Sequence, residues 1–248
     1  MIELSRRALV VRGGWEGHHP VEATEMFLPF LREQGFEVRI EESPDIYADA
    51  SVMDETDLIV QSVTMSAISD DALKGLRAAV AGGVGLAGWH GGIADSYRNS
   101  SDYLQLIGGQ FVTHPSKAPE LLHDDQSDNY LDYTVEITEL GRAHEITADI
   151  EAFSLHSEQY WVLHDDLIDV LATTTHPVQP YHPWHRPITS PAVWTRLWGK
   201  GRVFVATPGH LPEVLAHPSV RRIVERGMLW SARDAGAADD AGAAEAGA

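Results

Sequence analysis

The chain has 248 residues, with 18 Lys and Arg against 37 Asp and Glu, a net charge of −19, and no cysteine. Four of the acids, Asp234, Asp239, Asp240 and Glu245, follow Arg233, so residues 1–233 still carry −15; that charge repels a phosphate backbone and excludes nucleic-acid binding through bulk electrostatics. Without cysteine there is no disulfide framework, thiolate nucleophile, Cys-ligated zinc or iron–sulfur cluster, and with no long apolar run or signal peptide the expectation is a cytoplasmic protein that spans no membrane.

In chain order, ALVV (residues 8–11), EVRI (37–40), LIVQ (58–61), VGLAG (84–88) and RVFVA (202–206) read as buried strands. They are separated by segments of helical period, the pattern of a mostly parallel sheet covered by helices. Residues 21–34 carry Met26, Phe27, Phe30 and Leu31 at helical spacing and stop at Gly35, with Pro29 expected to kink or shorten the helix. Ser69 predicts an N-cap for a helix through Ala81, with Asp70 and Asp71 complementing its dipole. The stretches from about Gly108 to Thr134 and from Thr174 to Pro191 are polar and rich in His and Pro, and are expected to be long loops. Pro218 opens a last helix whose Val220, Ile223, Val224, Gly227 and Met228 define one buried face. Residues 232–248 have no aromatic or large aliphatic side chain and are expected to be disordered, leaving residues 1–231 as a single domain.

In open parallel sheets, ligands bind beyond the carboxyl ends of the strands, so the residues just past each run carry the functional reading. After the first strand come Gly13, Gly14, Trp15, Gly17, His18 and His19; after the fourth, Trp89, His90, Gly91 and Gly92; after the last, Thr207, Pro208, Gly209 and His210. Ser62, Val63 and Thr64 come after the third, and all four places should converge on one sheet edge. In residues 153–161, an extended chain would put His156 and Glu158 on one face and Leu155 and Ser157 on the other. The loop histidines His123, His144, His164, His176, His182 and His185 read as solvated surface groups. Neither G-x-G-x-x-G nor G-x-x-x-x-G-K-[ST] occurs, so nucleotide binding has no motif support. Trp, Tyr, His and carboxylates instead suit a neutral, hydroxyl-rich ligand.

Five blocks, VRGGWEGHHP, GLAGWHGG, LIGGQFVTHP, HEITADIEAFSLHSEQYWV and GKGRVFVATPGHLPEVLAHPSVRRIVERGMLWSA, occur in that order over residues 8–232. Together they resemble the ThuA-like (trehalose utilisation) family. The resemblance implies a flavodoxin-like three-layer α/β sandwich, with helices on both faces, similar to the class I glutamine amidotransferases. It also implies bacterial operons that handle trehalose and related disaccharides, 3-keto sugars, and neighbouring oxidoreductases of the glucose-fructose type. Where those amidotransferases place a Cys nucleophile, this chain presents His90, which excludes thioester chemistry. It departs from the family pattern at His19 and Ser157, where carboxylates are usual.

The resulting expectation is an enzyme acting on a keto sugar or disaccharide, of isomerase, lyase or hydrolase type, with His90 and His210 as acid and base and Glu158 orienting one of them. Gly14, Trp15, His18, Trp89, His114 and Tyr160 are the candidate substrate-binding residues. A variant places a divalent metal such as zinc on His90, Glu158 and His210. The competing expectation is a non-catalytic sugar-binding or accessory subunit serving an oxidoreductase. Neither requires a nucleic acid or a membrane, and both leave room for a homo-oligomer.

Overall fold

A computed structural model describes residues 6–233. Its strands are β1 (Arg6–Gly14), β2 (Phe36–Glu41), β3 (Leu58–Thr64), β4 (Gly85–Trp89), β5 (Gly109–Thr113), β6 (Tyr130–Ile137), β7 (Phe153–Glu158), β8 (Trp161–His164), β9 (Asp169–His176), β10 (Ile188–Trp198) and β11 (Gly201–Ala206). The helices are α1 (Pro20–Glu25), α2 (Leu28–Glu33), α3 (Ala50–Glu55), α4 (Asp70–Ala81), α5 (Gly91–Ala94), α6 (Ser101–Ile107), α7 (Glu139–Ala143), α8 (Pro212–Leu215) and α9 (Pro218–Ser231).

Nine strands form one sheet in the order β2-β1-β3-β4-β11-β10-β9-β6-β7. Alternation along the central strands feeds two cores. Ala8 and Val10 of β1, Leu58 and Val60 of β3, and Phe204 and Ala206 of β11 face one. Leu9 and Val11, Ile59 and Val63, and Val203 and Val205 face the other. Helices α1, α2 and α9 cover the first core, with Ala23, Leu31, Ile223 and Met228 among the covering side chains; α4 and α6 cover the second with Leu76, Val80, Tyr103 and Leu106. Strands buried on both faces need nearly continuous apolar runs, which is why these were readable as strands.

Several expectations need correction. The sheet is mixed rather than mostly parallel: β2, β1, β3, β4 and β11 pair in parallel, whereas the β11–β10, β10–β9, β9–β6 and β6–β7 pairings are antiparallel. The antiparallel half was hidden because its strands are Thr-rich or half polar, as in DVLATTTH of β9. The expected loop over residues 108–134 contains β5, which pairs with β8 in a separate two-stranded ribbon, and the start of β6. The second expected loop shrinks to residues 177–187, because β9 extends to His176 and β10 starts at Ile188. His176 is consequently not a surface group: it is 1% exposed, with Nε2 3.1 Å from the carbonyl oxygen of Tyr160.

Other expectations hold. Pro29 falls in the first turn of α2, where a missing N–H costs nothing, and the predicted helix breaks there into α1 and α2. Ser69 Oγ accepts from the Ala72 N–H as the cap of α4. The expected tail boundary at residue 232 needs correction: Ala232 is buried in the first core and the Arg233 N–H donates to Asp57 O, while residues 234–248 lie outside the described residues. No helix among the described residues is long and apolar enough to cross a membrane.

Candidate functional site

The carboxyl ends of β1, β3, β4 and β11 meet at one edge of the sheet, and each delivers a polar side chain there. β1 ends at Gly14 with φ +80°; a Cβ there would lie 2.0 Å from Thr64 O, so only glycine allows β1 to approach β3 this closely. The Trp15 N–H then donates to Thr64 O, and a short 3-10 turn over residues 16–18 brings His18 inward. His19 takes the left-handed conformation, starts α1 and stays outside the cluster. β4 ends at Trp89, and His90 makes a sharp strand-to-helix turn at φ 49°, ψ −142°, a region that a residue with a Cβ rarely occupies. Two anchors hold this strained turn: the His90 N–H donates to Ala206 O, and buried Gln61 donates to Ser96 Oγ and Gly92 O just beyond it.

Four imidazoles converge on one carboxylate oxygen. From Oε2 of Glu158, His90 Nε2 lies 3.0 Å away, His210 Nδ1 3.1 Å, His114 Nε2 3.6 Å and His18 Nε2 4.0 Å. His18, His90, Glu158 and His210 are all buried, and each offers one ligand atom within 4.8 Å of the others. The outer nitrogens are already engaged. His90 Nδ1 lies 2.7 Å from Thr207 O, an acceptor only, so it carries the proton and leaves Nε2 as a lone pair facing inward in the neutral ring. His18 Nδ1 lies 2.9 Å from Thr64 Oγ1, and His210 Nε2 lies 3.0 Å from the Tyr130 hydroxyl. His210 Nδ1, in a fully buried residue, makes no hydrogen bond of acceptable angle despite its closeness to Glu158.

Electrostatics follow from this crowding. Burial, reinforced by the neighbouring His90 and His210, pulls the His18 pKa down to about 2. Burial also lowers His90 and takes His114 to about 4, against the attraction of Glu158. For Glu158, burial alone would raise the pKa, but the surrounding imidazoles of His210 and His90 outweigh it and hold the carboxyl below its ordinary range. The imidazoles of His18, His90 and His114 are therefore neutral and the carboxylate charged near pH 7. The inward lone pair of His90, the inner ring nitrogens of His18 and His210 and the Glu158 carboxylate are a set that could hold a cation, and three His with one carboxylate suit zinc, manganese or iron.

Of the residues singled out in the sequence, His18, His90, His114, Glu158, Tyr160 and His210 are brought together. The Tyr160 ring lies on His90 with centroids 4.2 Å apart and also contacts Phe111. Trp15, 36% exposed, stands edge-on to His18. Trp89 is not brought to the site: it is 2% exposed and packs on Phe27 in the core, which corrects its expected substrate contact. Ser157 lies on the opposite face of β7 from Glu158, so the departure from the family pattern there does not touch the ligand set. Tyr130 and the Thr207 carbonyl were not foreseen; Tyr130 reaches the site only through its cross-strand pairing with Glu158. A groove of about 660 Å³ opens at the other edge of the sheet beside Val84, Lys200 and Arg233 and includes no cluster residue.

A family model described as "ThuA: Trehalose utilisation" matches residues 7–231. No curated protein matches. Among solved structures, a ThuA-like protein from Bacteroides uniformis is 16% identical, with 92% of this chain and 91% of that one covered and a TM-score of 0.66. A ThuA-like protein from Parabacteroides merdae is 14% identical over 91% and 89%, with a TM-score of 0.68. A cytoplasmic protein from Salmonella typhimurium is 15% identical over 92% and 100%, with a TM-score of 0.61. At these identities the likeness concerns the fold.

Proposed function

Because the chain belongs to the ThuA family, which is linked to carbohydrate utilisation, we propose that it is a cytoplasmic enzyme acting on a keto sugar or disaccharide at the His18–His90–Glu158–His210 centre, with a zinc-class divalent ion held there. The observation that carries this reading is the arrangement of His18, His90 and His210: each has its outer nitrogen within 3.0 Å of a protein oxygen and its inner nitrogen within 4.0 Å of Glu158 Oε2. Such outer partners hold the direction of a metal-ligating histidine, and the Thr207 carbonyl also fixes the tautomer of His90. A Salmonella relative described as a cytoplasmic protein supports the location.

A keto group acidifies the C–H beside it, so the reaction needs a proton acceptor and a group that stabilises charge on the keto oxygen. A bound divalent ion supplies the second. His114 stands outside the four-residue ligand set, is neutral, and has Nε2 3.6 Å from Glu158 Oε2; on this reading it takes the proton at the edge of the centre. Tyr160 walls the centre on the His90 side, and Trp15 stands where a sugar face would enter. The keto group itself must come from an oxidoreductase, the class of partner such an enzyme would depend on.

The test is incubation with a 3-keto disaccharide, with products followed by mass spectrometry, using wild type, wild type after exhaustive chelation, His90→Ala and His114→Ala. Product from wild type alone is expected, with His114→Ala retaining bound metal. No product from folded wild-type protein would overturn the enzymatic reading; undiminished turnover after chelation would overturn its metal.

A further inference from the structure

The solvent side of the β6–β7 ribbon carries the site outward. Its antiparallel register pairs Tyr130 with Glu158, Asp132 with His156 and Thr134 with Ser154. Alternation puts these six side chains on one face, while Tyr133, Val135 and Leu155 are buried on the other. Glu158 belongs to this outer face and is buried because the imidazoles cover it. One step further along, the face is open: the side chains of His156 and Asp132 are 64% and 90% exposed.

The groups along this step have a consistent chemistry. His156 Nδ1 lies 2.8 Å from Asp132 Oδ1, which fixes the ring. The Tyr130 ring stands edge-on to His156 at 6.2 Å and 89°, and it also contacts His210 at 5.3 Å, so it lies between the buried centre and the exposed pair. Thr134 Oγ1 and Ser154 Oγ, 3.3 Å apart, extend the polar strip. Two residues along a strand span about 6.7 Å, the scale of one sugar ring with its linking oxygen. Carboxylate, imidazole and phenol at that distance are hydrogen-bonding partners for ring hydroxyls, and the tyrosine adds an apolar edge.

We propose that Tyr130, Asp132 and His156 form a subsite for the second ring of a disaccharide whose first ring occupies the His/Glu centre; this rests on the carbohydrate reading above. Asp132 and His156 act as binding residues only. As an exposed hydrogen-bonded pair they contribute little to folding, so their substitution reads binding directly.

The experiment is calorimetric titration of wild type, His156→Ala and Asp132→Asn with trehalose and with glucose, with thermal midpoints measured alongside. Wild type is expected to bind trehalose more tightly than glucose. Each variant is expected to weaken trehalose about tenfold, as loss of a charge-assisted hydrogen bond does, and to leave glucose unchanged. Equal weakening of both sugars, an unchanged trehalose affinity, or a wild type that does not distinguish the two overturns the subsite and leaves the carbohydrate reading standing. A wild type that binds neither sugar also overturns the subsite, and the carbohydrate reading is then decided by the 3-keto disaccharide incubation above.

Discussion

Nε2 of His90 lies 3.0 Å from Oε2 of Glu158, although His90 comes directly after a strand of the parallel half of the sheet and Glu158 ends the edge strand of the antiparallel half. With His90 Nδ1 committed to Thr207 O, a neutral His90 turns a lone pair toward a carboxylate. A proton or a cation must sit between them, since two acceptors at that distance repel.

Glu158→Gln tests the carboxylate's charge at nearly constant shape. It is expected to lower affinity for zinc or manganese by at least about tenfold and to lower turnover with it, checked by titration under competing chelator. Unchanged metal uptake would count against Glu158 as a ligand.

Thr64→Val removes the hydroxyl that faces His18 Nδ1 at 2.9 Å and keeps its volume. The expected cost is about 10- to 100-fold in metal affinity, with a stability loss on the order of 1 kcal/mol from one hydrogen bond. Affinity and urea midpoint, measured on the same preparation, separate the two effects.

Gly91→Ala acts on the same histidine from the other side. A Cβ at residue 91 would lie 2.4 Å from His18 Cε1, so the ring must move out of the cluster. The expected outcome is weakened metal binding with Gly91→Ala in a folded protein. A crystal structure of the variant with His18 still facing Glu158 would contradict it.

Acid should destabilise the fold earlier than carboxylates alone would make it do. His18 and His114 have folded pKa values of about 2 and about 4 against 6.5 in the unfolded chain, so the unfolded state binds more protons across that window. Stability is therefore full above 6.5 and falls as pH drops below it. Glu158, held below its ordinary value of 4.5, adds a loss in the same direction below that point. Urea midpoints of the metal-free protein should be level at about pH 7 to 8 and decline steadily toward about pH 4; a midpoint flat down to about pH 5 would contradict the neutral burial of these rings.

Much of this was legible in the sequence where one residue type determined the outcome. The apolar runs of β1, β3, β4 and β11 identified the strands, and their glycine-flanked ends identified His18, His90 and His210. The alternation in Phe153–Glu158 put Glu158 on the correct face. What stayed hidden depends on pairing between distant segments. Nothing local in Tyr130 announces that it will stand opposite Glu158. His176 looked solvated because its strand is polar, yet the neighbouring strands bury it. Trp89 sits beside His90 in the chain but turns to the other side of the strand, into the core.

The four residues of the centre come from chain positions 18, 90, 158 and 210 and from both halves of the sheet. No local unfolding of one half can preserve the centre, so a ligand bound there reports the integrity of the whole chain. Its binding energy becomes global stability: a ligand at about 100 times its Kd adds about 2.7 kcal/mol against complete unfolding. The thermal midpoint would then act as a gauge of occupancy, with which ions and sugars can be ranked before any reaction has been found.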